Sequence, residues 1–297
     1  MKLNIIDLQF LQSSQVIAAF LIQEGTRNIL VETGPASTLK TLNEALSQYG
    51  LQPEDITDVL LTHIHFDHAG AAWYFASKGA HVYVHPLGYP HLSHPEKLLA
   101  SARRIYKAKM DELWGDIHAI PEDKLTAIED REELQLGTLK WIAHHTPGHA
   151  KHHIAWQLGD LLFTGDVAGV SLQGRAVVPP CPPPDIDLED WDRSIQRIRE
   201  LELQKLLLTH FGEVTDIEAH LSKLSDELQY WADWIRENGI EKNPEIVIPE
   251  FVMMTEERLK KQGLEKYWIE RYHKANPPEM SVTGLQRYWS KKKVKED

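Results

Sequence analysis

The chain predicts an α/β fold with a helical insert and a helical C-terminal region. Three observations carry that expectation. Short β-branched runs alternate with amphipathic helices as far as about residue 215. The segment 91–123 interrupts the alternation with a purely helical pattern, and from residue 216 onward apolar residues recur only at threes and fours.

Taken in order, Leu3 to Phe10, Val16 to Glu24 and Asn28 to Glu32 read as strands, with a hairpin turn at Gln23-Glu24-Gly25-Thr26. After Gly34-Pro35, Ser37 is placed to cap a helix that carries Leu39, Leu42, Leu46 and Tyr49 on one face and stops at Gly50. Asp58 to Thr62 is short, apolar and β-branched, the pattern of a buried strand. A histidine-rich turn, a small-residue helix from about Ala69 to Lys78 and a strand from His81 to His85 follow. In the 91–123 segment Leu98, Ala102, Ile105, Met110, Leu113 and Trp114 fit a helix or a helix pair, read as an inserted cap. Strands resume at Leu139 to His145, His153 to Leu158 and Leu161 to Thr164. Pro179 to Pro184 is too proline-rich to join a sheet. Asp187 caps a helix with Leu188, Trp191, Ile195 and Ile198 inward, and Lys205 to Thr209 is a last buried strand. The stripe Ile217, Leu221, Leu224, Leu228, Trp231 and Ile235 marks one long amphipathic helix. Residues 250 to 297 hold further short helical stretches and end in a basic tail, Lys291 to Lys295, read as a solvated terminus. Trp231, Trp234, Trp268 and Trp289 either cover the core or form a homodimer interface.

Composition narrows the function. Lys+Arg 32 against Asp+Glu 44 gives a net charge of −12, which repels phosphate backbones, so no nucleic-acid partner is expected. A single cysteine, Cys181, excludes an internal disulfide, an iron–sulfur cluster and a thiolate zinc site. The longest clean apolar run, Val16 to Ile22, is too short to cross a bilayer, and the start alternates like a strand rather than a signal peptide. The expectation is a soluble cytoplasmic chain with no membrane partner. Histidine is the unusual residue, with 16 copies.

Four of the possible metal ligands fall in the run His63-Ile64-His65-Phe66-Asp67-His68, directly after an apolar strand. On an extended edge His63 and His65 point to the same side, while Asp67 and His68 belong to the turn, where the chain can swing them across a small cavity. One segment can thus serve two ions. Imidazole and carboxylate together suit zinc, manganese or iron. Two sites need more ligands, and three strand exits supply them in the order His149, Asp166, His210. His149 follows a Pro147-Gly148 turn, Asp166 follows Phe163-Thr164-Gly165, and His210 follows Leu207-Leu208-Thr209.

With these residues in place the chain resembles the metallo-β-lactamase superfamily, whose signature is His-x-His-x-Asp-His followed by a distant His, an Asp and a final His. The resemblance spans roughly residues 3 to 215, so residues 1–215 are expected to form the catalytic domain and 216–297 a helical C-terminal region. It implies an αβ/βα four-layer sandwich with a dinuclear site at one end of its two mixed sheets. By that resemblance His63, His65 and His149 hold a first metal, Asp67, His68 and His210 a second, and Asp166 bridges them. Two ions roughly 3.5–4 Å apart share a hydroxide and lower its pKa to about 7, so the implied activity is attack of a metal-bridging hydroxide on a carbonyl carbon. Asp67 is also a candidate to relay a proton to the leaving group.

The superfamily hosts many reactions. In the commonest β-lactamase subclass a cysteine stands in the second site, where this chain has Asp166. Flavodiiron reductases need a flavin domain, and no glycine-rich phosphate loop follows His210. Persulfide dioxygenases keep one iron on two histidines and an aspartate, against the full second site here; an iron-dependent oxidoreductase is kept as an alternative. Compact glyoxalase-II-type thioesterases lack a long insert between the first cluster and the Pro-Gly-His turn, whereas His149 comes 149 − 63 = 86 positions after His63 here. A helical cap resembles the quorum-signal lactonases and their uncharacterised relatives, as do Ile6-Asp7-Leu8, Glu32-Thr33-Gly34-Pro35 and Ser281 to Tyr288. The preferred reading is hydrolysis of an ester, lactone or thioester of a small molecule, lactonase-like first.

Outside the signature, Tyr106 on the insert either donates a hydrogen bond to a carbonyl oxygen or packs the cap. His144, His145, His152 and His153 either orient ligands or lie on the strand surface. Thr33 and Gly34 stand where they can approach the metals, and Glu32 is read as structural. The remaining histidines, His81, His85, His91, His94, His118, His220 and His273, are assigned to structure or surface.

Overall fold

The computed structural model describes residues 1–296, and among them two six-stranded sheets form, each with its strands side by side in chain order. The first sheet comprises β1 (Lys2–Asp7), β2 (Ala18–Glu24), β3 (Arg27–Val31), β4 (Asp58–Leu60), β5 (His81–Val84) and β6 (Leu125–Ala127). Its first three strands are antiparallel, and the pairs from β3 to β6 are parallel. The second comprises β7 (Glu133–Leu136), β8 (Leu139–His145), β9 (Ile154–Leu158), β10 (Leu161–Gly165), β11 (Lys205–Leu208) and β12 (Gly212–Val214), with β10 and β11 parallel and the rest antiparallel.

The period-two alternation of β2 shows why the sheets stack. Ala18, Phe20 and Ile22 point to the inter-sheet core, where Phe20 meets Phe163 edge-on and Trp141, Trp156 and Leu207 close the layer. Ala19 and Leu21 point the other way, into the core beneath the helices. Burying each such large apolar side chain contributes about 1.5–3 kcal/mol.

The helices are α1 (Leu39–Gln48), α2 (Phe66–Ala69), α3 (Ala72–Ser77), α4 (Tyr89–Ser93), α5 (Glu96–Tyr106), α6 (Met110–Trp114), α7 (Leu188–Arg199), α8 (Ile217–Asn238), α9 (Pro244–Lys261), α10 (Lys266–Ala275) and α11 (Pro278–Glu296). Asp187 and Asp216 cap α7 and α8 through Asp190 N and Ala219 N. The helical C-terminal region shares the outer core: Trp231 is 3% exposed, and Trp234, Trp268 and Trp289 pack against the same cluster. Among the described residues no helix is long and apolar enough to cross a membrane.

Several sequence expectations are corrected. The first strand ends at Asp7, not Phe10, because Gln9 and Leu11 turn left-handed (φ 49° and 50°) and send Phe10 into the core. Ser37 does not cap α1: a short turn, Ala36–Thr38, precedes the helix, and the Ser37 hydroxyl donates to the Leu113 carbonyl of the insert at 2.7 Å. The insert holds three helices, beginning at Tyr89. β6, β7 and β12 escaped the sequence reading because they are three or four residues long, with no apolar run to mark them. α9 and α11 are long rather than short, at 18 and 19 residues; Pro249 inside α9 breaks the pattern that reveals length. The basic tail is the end of α11, where Lys292 reaches Glu189 and Tyr288, and Lys293 reaches Glu241. The Lys295 side chain lies outside the described residues.

Candidate metal centre

The seven signature side chains, from four separate stretches of chain, converge at the edge between the two sheets. His63 and His65 follow β4, Asp67 and His68 open α2, His149 follows β8, Asp166 follows β10 and His210 follows β11. They fall into two groups, His63, His65, His149 and Asp166 in one and Asp67, His68 and His210 in the other, with the ligand atoms within each group no more than 4.8 Å apart. In the first group His65 Nδ1 lies 2.9 Å from His63 Nε2 and 3.0 Å from His149 Nε2. Asp166 stands between the groups. Its Oδ2 is 3.2 Å from His149 Nε2, and its Oδ1 is 3.3 Å from His68 Nε2 and 3.4 Å from His210 Nε2. Asp67 Oδ2 completes the second group, 3.5 Å from His210 Nε2.

The inward nitrogens are set by what the outward ones bind. His149 Nδ1–H donates to the Pro180 carbonyl at 2.8 Å, and His210 Nδ1–H to the Val16 carbonyl at 2.7 Å. His68 Nδ1–H donates to Glu32 Oε1 at 3.2 Å, and the same carboxylate oxygen accepts the Thr62 hydroxyl. His63 Nδ1 lies 3.0 Å from Thr62 Oγ1. Each anchor leaves a lone pair facing the centre. His68 Nε2, His210 Nε2 and Asp166 Oδ1 are buried and make no hydrogen bond among the described residues. Orphaned buried donors and acceptors are costly, and a cation between them satisfies all three. The His and Asp set therefore fits divalent transition metals.

Electrostatics divide the groups in the metal-free state. Burial first, and then neighbouring imidazoles, hold His63 well below its ordinary value and His65 at about 3, so both are neutral ligands. Burial also lowers His149, against the pull of Asp166. Burial lowers His68 too, but Asp166, Asp67 and Glu32 outweigh it and hold that imidazole well above the usual range; His210 is raised by Asp166 and Asp67 in the same way. Burial raises the two carboxylates, and the facing imidazoles win, holding Asp67 at about 2 and Asp166 well below the usual carboxylate range.

A family model described as the metallo-beta-lactamase superfamily matches residues 15–210. The chain belongs to the metallo-beta-lactamase superfamily. It is 32% identical over 189 residues to the metallo-beta-lactamase fold-containing protein ST1585 of Sulfurisphaera tokodaii, covering 59% of this chain and 69% of that one. It is 23% identical over 231 residues to the probable metallo-hydrolase YqjP of Bacillus subtilis, covering 71% and 72%. Among solved structures, metallo-beta-lactamase family protein TTHA1429 of Thermus thermophilus matches with a TM-score of 0.70 at 20% identity, over 99% of this chain and 94% of that one, which shows the shared fold. The structure of ST1585 matches with a TM-score of 0.60 at 26% identity, over 74% and 84%. The chain adopts the superfamily's two-sheet architecture with helices outside and adds a helical C-terminal extension to it.

Of the residues outside the signature, His153 is buried beside the centre. Its Nε2 accepts the Asp166 backbone N–H at 3.2 Å while its Nδ1 faces Thr146 Oγ1 at 2.8 Å. His152 packs against His63 and His65 with Nδ1 unpartnered. His144 pairs with Gln157, and His145 with the Ile128 carbonyl, so neither reaches a ligand. Thr33 and Gly34 hold the His68 carbonyl, through their N–H groups at 2.9 and 3.1 Å and through the Thr33 hydroxyl at 3.0 Å. Tyr106 is half-buried with its ring edge-on to Trp114 at 5.1 Å, and burial, then the fields of Asp67 and Glu279, push its hydroxyl well up. Glu32, read as structural, does more than that: it orients His68. A carboxylate immediately before Thr33-Gly34 was the available signal. The Pro180 and Val16 carbonyls had none, because every residue carries one.

Proposed function

We propose that this chain is a metal-dependent hydrolase of a small-molecule ester, lactone or thioester, lactones first. One observation carries the reading: the Asp166 carboxylate is divided between two histidine sets, one oxygen toward His149 and the other toward His68 and His210. A bridging carboxylate with three ligands on either side suits a pair of ions. His63, His65 and His149 would hold one, Asp67, His68 and His210 the other, with zinc, manganese or iron all matched to the donors. Relatives named probable metallo-hydrolases, YqjP and MJ0888 of Methanocaldococcus jannaschii, support the hydrolytic class.

Such a pair supplies a hydroxide nucleophile near neutral pH and polarises an acyl carbonyl. The chain's own residues do the rest. Asp67, with a side chain 22% exposed where the other carboxylate is 5%, is the acidic ligand open to the mouth of the site. Its outer oxygen can pass a proton to the departing alkoxide or thiolate. Tyr106 keeps its proton at neutral pH, since its hydroxyl is shifted up, and donates to the substrate carbonyl oxygen from the insert. No serine or cysteine nucleophile is needed; Cys181 is fully buried.

Metal-loaded protein assayed anaerobically against homoserine lactones, S-lactoylglutathione and aryl esters tests the reading. Hydrolysis without oxygen, with close to two metal ions per chain, is expected. Turnover that requires oxygen, or activity in metal-free folded protein, overturns it.

A further inference from the structure

We propose that Ser281 and Gly284 on the C-terminal helix α11, with Asn276 just before it, are positioning residues for the ligand His149, aimed through the loop Pro179 to Pro184. The proposal rests on the ligand assignment above and not on which bond the centre cleaves.

The loop cannot shape itself. From Asp166 to Asp187 the chain forms no strand or helix beyond a turn at Leu172–Gly174 and one bridge between Val170 and Val178. Long irregular connections ordinarily run over the surface, yet Val167 to Leu172 and Ala176 to Cys181 are buried. Buried peptide groups need partners. Between Pro179 and Pro184 only Cys181 has a backbone N–H to offer, because its neighbours are all prolines. Pro180 nonetheless has an exacting task. Its carbonyl accepts the His149 Nδ1–H at 2.8 Å and so leaves Nε2 facing the metal centre.

The missing partners come from the C-terminal region. Asn276 Nδ2 donates to the Pro179 carbonyl at 3.0 Å, and the Cys181 N–H donates to Ser281 Oγ at 3.3 Å. The Ser281 hydroxyl in turn donates to Asn276 Oδ1 at 3.3 Å, so two buried side chains form one clamp. The Cys181 N–H and the Pro180 carbonyl belong to a single planar trans peptide and point in opposite directions. Ser281 holds one end of that plane and His149 the other. Fixing the N–H therefore fixes where the carbonyl points.

Gly284, one turn along α11, lies on the same face as Ser281, and a Cβ there would overlap the Cys181 carbonyl oxygen. Glycine is unfavourable inside a helix; here it is what lets α11 come against the loop. Farther along that face Arg287 Nε and Lys291 Nζ donate to the Pro184 carbonyl at 3.3 and 3.0 Å. On the far side of the loop the Asp187 N–H donates to the Gly148 carbonyl at 2.9 Å, steadying the turn that carries His149. α10 and α11 lie beyond residues 15–210, which the family model matches. The clamp thus reaches the centre from outside the matched stretch.

The test uses the full chain, metal-free and with cobalt(II) ions titrated in. Visible absorption bands that disappear in His149→Ala and in His210→Ala mark the two sites. Ser281→Ala removes the acceptor of the Cys181 N–H, and Gly284→Ala pushes α11 off the loop. Gln286→Met is the control, since the buried Gln286 amide lies on the same helix but donates to the Gly239 and Lys242 carbonyls. In Ser281→Ala and Gly284→Ala the cobalt affinity of the His149 site is expected to fall about tenfold, the low end for loss of an outer partner, with the His210 bands unchanged. Gln286→Met should lower the melting temperature and leave both sets of bands as in wild type. Nitrogen-15 NMR of metal-free protein reads the His149 tautomer directly. Its proton is expected on Nδ1 in wild type and shared between both nitrogens in Ser281→Ala. Equal weakening of both sites, a His149 site untouched by Ser281→Ala, or an Nδ1 proton unchanged in that variant overturns the proposal. Should Gly284→Ala fail to fold, Ser281→Ala alone decides. If wild type takes up no cobalt, the ligand assignment fails instead, and the NMR comparison alone decides whether the clamp aims His149.

Discussion

Glu32 accepts the Nδ1–H of His68 at 3.2 Å while held in a left-handed backbone conformation, φ 64°, with no solvent exposure. A residue other than glycine in that region stores backbone strain, and here the strained turn delivers a carboxylate to the back of a candidate ligand. The same oxygen takes the Thr62 hydroxyl, so one side chain anchors the turn between β4 and α2.

Glu32→Gln keeps the shape and removes the charge. Chelator competition should show the metal affinity of the Asp67, His68 and His210 site falling about 10–100-fold, with the other site less affected. Equal loss at both sites would mean that Glu32 acts on the fold as a whole.

Asp166→Asn leaves a group of the same size that cannot serve two ions. Bound metal should fall by about one ion per chain and turnover by more than the roughly 100-fold typical of outer-sphere changes, with the far-UV circular dichroism of wild type. Full metal content with full turnover would remove Asp166 from the centre.

In metal-free protein the raised values of His68 and His210 make a prediction about pH. Stability from a raised imidazole is fully present below the unfolded value, about 6.5, and is lost as pH climbs through the folded value. The melting temperature of metal-free protein should therefore fall above pH 6.5. Metal must displace the same protons, so loading should release them, which calorimetry in buffers of different ionisation enthalpy measures. A metal-free melting temperature that rises over this range, or loading without proton release, contradicts the arrangement.

Tyr106→Phe removes one hydroxyl and keeps the ring against Trp114. A drop of about 100-fold in kcat, with KM and melting temperature nearly unchanged, is expected of a donor to the carbonyl oxygen. An unchanged kcat would leave the ring as packing for the cap.

Gly165 turns at φ 48° immediately before Asp166, and a Cβ there would press on Thr62 Oγ1 and stand 2.7 Å from His153 Nε2. Gly165→Ala should cost about 1–2 kcal/mol for the left-handed backbone alone, and more for the crowding. Because it displaces Asp166, metal content should fall with stability. An alanine variant that melts and binds metal like wild type would show that this close approach is not required.

The candidate ligands were legible in the sequence because each lies at the exit of an apolar strand, and strand exits can be read from local hydrophobic pattern. The same logic found β2, β4, β8, β10 and β11, whose buried runs are their own signal. It failed for β6, β7 and β12, which are three or four residues long, so that the one leucine buried by β6 (Leu125) and by β7 (Leu136) makes no readable run. It also missed the length of α9, where Pro249 hides a helix stabilised by packing Val247, Phe251 and Leu259 into the outer core.

Spacing along the chain thus determined which side chains could act as ligands and on which turns they ride, since periodicity and turn chemistry are local properties. Only the folded molecule decided how those ligands are aimed. The tautomers of His149 and His210 depend on the carbonyls of Pro180 and Val16, brought beside them by long loops, and the orientation of His68 depends on Glu32 from the exit of another strand. Such contacts arise from the stacking of two sheets around a shared apolar core, and a backbone carbonyl looks the same at every position until that stacking selects one.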